Sequence, residues 1–324
     1  MTRITRRAAL SGLAAASGAL TFGASHAQPK SLTLGTASIG GTYFIYGGVV
    51  ATLLTEKLGI NTSTQQTQGP NQNLILVSDK RVELSMTTMG IALQAWNGDG
   101  EWTKGRKYRE VRALFPMYDT PFHFITTEKT GIASVAQLNK KTVGVGPRAG
   151  TPGTYFPLMF KALGLDVTIR NGSGSDMASQ LGDGLIDCFA FAAGVPIAAF
   201  SEIEAQRPAR FFTFTDAEIA TLKKAMPELS DSLIPKGTYK AQTADHKTIG
   251  VYNFGICHKD FDADLAYQVT KTILDNNAVM VKGHAAAVET IAANWSRNTF
   301  LPFHPGAVRY YKEKGFNIPS GLVG

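Results

Sequence analysis

The chain has 324 residues, 44% hydrophobic and 18% charged, with 33 glycines, two cysteines and a formal charge of +7. The apolar content excludes global disorder, and two cysteines exclude a disulfide scaffold. The length suffices for about two domains, each burying its own core.

Part of the charge lies in the first 27 residues. They hold Arg3, Arg6 and Arg7 and no acid, then an uncharged run from Ala8 to Ser25 rich in Ala, Gly, Ser and Leu, then Ser25-His26-Ala27. A basic start, an apolar middle and a small-x-small site read as a secretory signal cleaved near Ala27. A membrane anchor is the alternative; the run has about the length, but its Gly, Ser and Ala make it weakly apolar. Arg6-Arg7 with Leu10 fits twin-arginine export, whereas Ala9 stands where that signal carries a bulky residue, so ordinary secretion fits equally. Without this segment 29 Lys and Arg stand against 25 Asp and Glu, a charge of +4. The basic residues are scattered, so nucleic acid is not an expected partner. No other long apolar run exists, so a soluble periplasmic chain without stable membrane insertion is expected.

The segments that follow repeat. LTLGTASIGGTYF, a helix-like IYGGVVATLLTEKLG, a strand-like INTSTQQTQG and NQNLILVSDKRVELSMTT are echoed by KTVGVGPRAGTPGTYF, PLMFKALG, LDVTIRNGSG and SDMASQLGDGLIDCFAFAA. GTYF stands at 41–44 and 153–156, and the register shifts from 112 to 104 residues along the repeat, so the first helix of the first half is the longer by about two turns. Each half reads strand, Gly-rich turn, helix, strand, polar turn, helix, strand. Alternation of short apolar strands with helices implies a parallel sheet flanked by helices, hence two α/β lobes.

A boundary is expected in the turn residues Tyr118-Asp119-Thr120-Pro121. Then come the strand FHFITTE, a helix-like ASVAQLNKK before the repeat, and after it the strand ARFFTFT, a helix DAEIATLKKAM and a polar stretch. The strand TIGVYNFGICHKD leads into a long helix DADLAYQVTKTILDNNAVMV, followed by helices AAAVETIAANW and PGAVRYYKEKG. This last part crosses back to complete the first lobe. Lobe 1 is therefore expected to comprise 28–119 plus 253–324, and lobe 2 residues 120–252. Two crossings make a hinge, with the site in the cleft between lobes.

In open parallel α/β sheets ligands bind beyond the carboxyl ends of the strands. Those ends carry Ser38-Ile39-Gly40-Gly41-Thr42 in the first half and Arg148-Ala149-Gly150-Thr151-Pro152-Gly153-Thr154 in the second. Thr42 and Thr154 stand where helices should start and are candidate N-caps. The glycines allow close backbone approach. A helix N-terminus suits a carboxylate or phosphate, and two facing across a cleft would hold one small anion from both sides. Ordinary strand-to-helix turns would look the same. Arg148 has the geometry for a bidentate bond to a carboxylate, though exposed loop arginines are common. Tyr43 and Tyr155 either wall the cleft or pack beneath the helices. Gln68 and Asn71 occupy the next turn, and Thr88 and Gly194 the third strand ends.

Catalytic constellations are scarce: no CxxC, HExxH, GxSxG or P-loop occurs, and the histidines lack metal-ligand spacing. No metal or cofactor is expected, and no enzyme. Gly144-Val145-Gly146-Pro147-Arg148-Ala149-Gly150 comes near a dinucleotide fingerprint but has one residue too many, and no acid ends the next strand. Cys188 and Cys257 lie in apolar strands as buried thiols, with pairing open to an exported protein.

LGTASIGGTYFIYGG, VGPRAGTPGTYF, DGLIDCFAFAAGVP, LIPKGTY and LPFHPGAVRYYKEKG together resemble the TAXI family, the extracytoplasmic receptors of TRAP-type secondary transporters. The resemblance covers about residues 31–320. It implies a type II periplasmic binding protein fold, a glutamate-like or 2-oxoglutarate-like carboxylate ligand and an inner-membrane TRAP permease as partner. By position it makes Ser38 to Tyr43, Gln68 to Asn71, Thr88, Thr151 to Thr154 and Ala193-Gly194 ligand contacts. The sequence departs from the family at Thr88, often Gln there, and at the inserted PRAGTP turn. The expected ligand set is Ser38, Gly41, Thr42, Tyr43, Gln68, Asn71, Thr88, Arg148, Thr151, Thr154, Tyr155 and Gly194, in a chain expected to be monomeric. A receptor for an ATP-driven importer, an exported enzyme and a periplasmic sensor are the alternatives.

Overall fold

Both halves of the repeat take the same path in space. The computed structural model describes residues 31–324, so the expected signal segment lies outside the described residues. The first half runs β1 (Ser31–Gly35), α1 (Thr42–Leu58), β2 (Asn61–Gln65), α2 (Pro70–Ser78), β3 (Leu84–Thr88) and α3 (Met89–Asn97), and leads into a long strand, β4 (Val111–Thr127). The second runs β5 (Thr142–Val145), α4 (Thr151–Ala162), β6 (Thr168–Asn171), α5 (Gly174–Gly182), β7 (Cys188–Ala192) and α6 (Ala198–Gln206). Then follow β8 (Ala209–Phe212), α7 (Asp216–Ala225), β9 (Ser230–Ile234), a second long strand β10 (His246–His258), α8 (Ala263–Asp275), α9 (Asn277–Gly283) and α10 (Pro305–Glu313).

The strand order is β2-β1-β3-β10-β4-β7-β5-β6. Each half contributes a parallel triplet, β2-β1-β3 or β6-β5-β7, with the middle strand first in the chain. The long strands join antiparallel, so each lobe is mixed rather than purely parallel. This is a two-lobed α/β fold. α1 has 17 residues and α4 has 12, so most of the register shift between the halves is spent in the first helix. Leu32 and Leu34 of β1 and Val143 and Val145 of β5 are fully buried between helix layers, as expected of strands in a covered parallel sheet. The outermost strands, NTSTQ and TIRN, are polar, which suits exposed sheet edges.

The chain departs from the sequence reading in five places. Residues 118–121 form no turn: β4 stays extended and pairs with β10 up to Pro121 and with β7 from Phe122. The Asp119 side chain accepts from its neighbour's Thr120 N–H and from Ser232, so it does not close a turn. The long helix after Asp262 breaks at Asn276, because Asn276 Nδ2 bonds back to the Thr272 carbonyl (2.9 Å) and Asn277 Nδ2 reaches the Ala287 and Thr290 carbonyls. AAAVETIAANW and ASVAQLNKK form only short 3-10 turns, Ala285–Glu289, Ala292–Arg297 and Val135–Leu138, and the polar stretch contains β9. Cys188 and Cys257 are free buried thiols on different sheet halves, Cys188 donating weakly to the Ile125 carbonyl. Among the described residues, no helix is long and apolar enough to cross a membrane.

Two buried polar side chains fix the frame. Asn73 Nδ2 donates to the Thr36 and Met86 carbonyls (both 2.9 Å) and its Oδ1 accepts from Thr67 Oγ1 (2.7 Å), pinning the turns after β1 and β2 to β3. His123, on β4, sits in a chain: Ile197 N–H donates to Tyr239 Oη (2.9 Å), which donates to His123 Nε2 (3.0 Å). Its Nδ1 faces the Pro121 carbonyl (3.2 Å), which only accepts, so Nδ1 carries the proton. Burial pushes the His123 pKa down to about 3.

Asn73→Ala leaves buried backbone carbonyls unmet and should lower the unfolding free energy by about 2–3 kcal/mol in urea titration. For His123 the folded pKa lies below the unfolded ~6.5, so the unfolded state binds the extra proton. Its contribution is complete above pH 6.5 and is lost as pH falls towards 3. His123→Gln should therefore flatten the stability–pH curve by about 1.4 kcal/mol per pH unit within that window. An unchanged slope would show that the ring titrates freely.

Candidate functional site

The turns that the repeat places at equivalent positions face each other across the cleft and enclose a cavity of about 40 Å3. Ser38, Gly41, Thr42 and Tyr43 line it from the turn between β1 and α1; Gln68, Gly69 and Pro70 from the turn after β2; Thr88 from the end of β3. From the other lobe come Pro147, Gly150, Thr151 and Pro152, with Phe191 to Ala193 at the end of β7. Thr120 of β4 and Asn253 of β10 form the floor between the lobes. All these turns lie at carboxyl ends of strands, where the helices that follow begin.

Those helices share an electrical feature. The N-cap residues of α1, α2, α3 and α4 are Gly41, Gly69, Thr88 and Gly150, and all four line the cavity. None gives a side-chain cap, and none of the four helices has an acid in its first turn. Three other helices differ: Ser173 caps α5, Thr215 caps α7 and Asp262 caps α8, each with an acid in the first turn; α6 and α9 lack both features as well. The first N–H groups of a helix have no intrahelical partner, and its N-terminus carries about half a positive charge. Among the described residues no Asp, Glu, Lys, Arg or His lines the cavity. The field there is therefore positive and comes from backbone.

The rims of the two lobes touch, so the lobes are closed. Thr42 Oγ1 donates to the Gly194 carbonyl (2.5 Å), and Thr88 Oγ1 lies 3.0 Å from Thr151 Oγ1. The Ile39 and Gly40 carbonyls accept from Ser175 and Ala199 N–H (3.3 and 3.1 Å). Asn71 N–H donates to the Ala149 carbonyl (3.2 Å). With its amide turned to satisfy both ends, the Asn71 side chain also donates to that carbonyl (3.1 Å), accepts from Trp102 Nε1 (3.1 Å) and lies 3.2 Å from Thr154 Oγ1. Glycines permit this approach. Gly40 has φ +88°, and a Cβ there would stand 2.6 Å from Ser175 N; Gly69 has φ +123°, with a Cβ 3.0 Å from Gly150 Cα.

The floor is one hydrogen-bonded unit. Asn253 is fully buried on β10, opposite Thr88 in register. Its Nδ2 donates to the Tyr118 carbonyl and to Thr120 Oγ1, and its Oδ1 accepts from Tyr43 Oη, all at 2.6 Å. One amide thus ties both long strands to the first turn of α1. Burial, then the neighbouring Tyr46, raises the Tyr43 pKa well above that of a free phenol, so Tyr43 remains a neutral donor.

Similarity to known proteins agrees with this architecture. Residues 34–315 match the NMT1-like family. The chain belongs to the NMT1-like family. By structure it is similar to a protein of Bordetella bronchiseptica RB50 (15% identity, 88% of this chain and 82% of that one, TM-score 0.51). It is also similar to a protein described as a periplasmic transporter (15% identity, 79% and 87%, TM-score 0.50). A third, described as a histidine-bound substrate-binding protein of an ABC uptake transporter from Streptococcus pneumoniae, has 14% identity, 81% and 95% coverage and a TM-score of 0.49. At these identities the first two likenesses are of fold, the two-lobed fold of periplasmic binding proteins.

In this NMT1-like chain the residues singled out by sequence divide. Ser38, Gly41, Thr42, Tyr43, Gln68, Thr88 and Thr151 line the cavity. Asn71, Arg148 and Thr154 line a separate open groove outside the seam. The Gly150 N–H closes a tight turn on the Pro147 carbonyl (3.0 Å), which puts Arg148 at the outer corner, exposed. Thr42 and Thr151 are the first helical residues rather than caps, and Thr154 lies three residues further on, bonding back to the Gly150 carbonyl (3.0 Å). Tyr155, one turn beyond Thr151, is buried below, its hydroxyl donating to Glu228 (2.9 Å). Gly194 enters through its carbonyl in the seam, and Ala192 and Ala193 line the cavity instead. Thr120 and Asn253 were not singled out. The available signal was a lone asparagine inside the apolar run from Ile249 to Cys257.

Gly40→Val should hold the rims apart while leaving the circular dichroism spectrum unchanged. Small-angle scattering should then give a larger radius of gyration than wild type. Equal radii would show that the Gly40 contact does not limit closure.

Proposed function

We propose that the chain is an extracytoplasmic solute-binding receptor that closes on a small carboxylate and hands it to a TRAP-type permease in the inner membrane. The supporting observation is the convergence of four uncapped helix N-termini on a cavity without charged side chains. A buried carboxylate needs charge-assisted hydrogen bonds, and free backbone N–H groups at helix ends supply them. Residues 28–119 with 253–324 form one lobe, 120–252 the other, and β4 and β10 are the hinge. Ligand enters the open form, bonds one lobe's helix ends, and closure brings the other lobe's onto it and expels water, which strengthens the bonds. The closed seam is what the permease recognises. The TAXI-like motifs support this partner, and the signal-like residues 1–27 support export to the periplasm. The cycle needs no bond-making step, cofactor or nucleic acid.

A carboxylate panel tests the reading by thermal shift and calorimetry. A ligand at 100 times its Kd should raise stability by about 2.7 kcal/mol. Thr88→Val and Thr151→Val should each weaken binding about tenfold, a loss of about 1.4 kcal/mol. Arg148→Ala should stay within twofold of wild type. A full loss in Arg148→Ala, with the threonine variants unaffected, would move the site into the outer groove.

A further inference from the structure

The hydrogen-bond polarity of the floor narrows the ligand further, resting on the carboxylate reading above. The Tyr118 carbonyl can only accept, so the Asn253 amide nitrogen must face it, and the amide cannot be turned over. Everything on the amide then has a fixed direction. Nδ2 also donates to Thr120 Oγ1, so the Thr120 hydroxyl hydrogen is left over. Among the described residues no protein acceptor takes it, and Thr120 is 2% exposed and lines the cavity. Oδ1 accepts from Tyr43 Oη, so the Tyr43 hydroxyl hydrogen is used and its oxygen, on a residue that lines the cavity, keeps lone pairs only. One unmet donor and one unmet acceptor are thus held on the two ends of a single amide, at one pole of the cavity.

We propose that this pole receives a hydroxyl, and that the ligand is a short hydroxycarboxylate. A hydroxyl accepts from Thr120 and donates to Tyr43, satisfying both. An oxo group accepts from Thr120 but leaves the Tyr43 oxygen without a donor, and a methylene leaves both unmet. An ammonium group has no carboxylate to pair with, because no acid lines the cavity and four positive helix ends surround it. The cavity is small, about 40 Å3, which favours a three-carbon acid over a five-carbon amino acid or dicarboxylate. The ligand therefore differs from the glutamate-like one that the family resemblance implies.

Four three-carbon probes that differ only at the second carbon test this: 2-hydroxypropanoate, 2-oxopropanoate, propanoate and alanine, each titrated calorimetrically into the full chain. The hydroxy acid should bind at least tenfold tighter than the oxo acid and propanoate, with alanine weakest. Thr120→Val should reduce the hydroxy-to-deoxy affinity ratio to below twofold, whereas Thr120→Ser should preserve it. A merely structural role for Thr120 would weaken both ligands equally and keep the ratio, which would overturn the proposal. Alanine binding tightest, or all four binding equally, would also overturn it while leaving the carboxylate receptor standing. If none of the four binds but glutarate or glutamate does, the proposal falls and the receptor reading survives. If no carboxylate binds, both fall.

Discussion

Uncapped helix ends impose the constraint on which the cleft depends. Each of the four helices that open on the cavity begins with backbone N–H groups that its own side chains do not satisfy. Elsewhere Ser173, Thr215 and Asp262 cap α5, α7 and α8, while α6 and α9 also begin without a side-chain cap, so what marks the site is that four such ends converge on one cavity. Apposing four partial positive charges in a closed cavity is unfavourable unless something negative or water stands between them. In the proposed function, closure and capture of the carboxylate are one electrostatic event, the anion lying between the four helix ends as the rims meet.

The seam and the floor divide the labour. Along the rim, glycine backbones at Gly40 and Gly69 allow contacts made by peptide groups rather than long side chains. Such contacts lose little side-chain entropy when they form. At the floor, Asn253 fastens the two long strands to each other and to Tyr43. The proposed hinge strands and the base of the site thus share one hydrogen-bonded unit, which joins Tyr43 and Thr120 to both β4 and β10. Register shifts in the β4–β10 pairing, around Tyr252–Phe254 and Gly255–Ile256, mark where that ribbon is least regular.

Much of this was legible in the sequence because the chemistry repeats. GTYF and its Gly-rich approach occur twice, and both copies became strand-turn-helix junctions, although the motif's threonine is the first helical residue in one (Thr42) and the fourth in the other (Thr154). The residues nearest the strand ends, Ser38 and Gly41 to Tyr43 on one side and Thr151 on the other, reached the cavity for that reason. Arg148 did not, because a tight turn inverted its direction, which local residue types do not disclose. Asp119 and Pro121 read as turn formers, yet tertiary partners keep them in a strand. The floor was illegible because Asn253 meets residues more than 130 positions away. The break at Asn276 was hidden in the same way: the apolar spacing runs on past it, and only the carbonyls of a later turn explain why the helix stops.

The placement of β10 also bears on how the molecule comes into being. β3 is buried along its whole length, yet one of its two edges is covered by residues 253–257, made about 170 positions later. The corresponding edge of the second triplet, on β7, is covered by residues 122–125 of β4, which precedes that triplet directly in the chain. Loop closure over such a span is slow, and an uncovered apolar strand invites wrong pairings while it waits. The first lobe, made before the second, is thus the last to be finished, because the edge of β3 waits for β10.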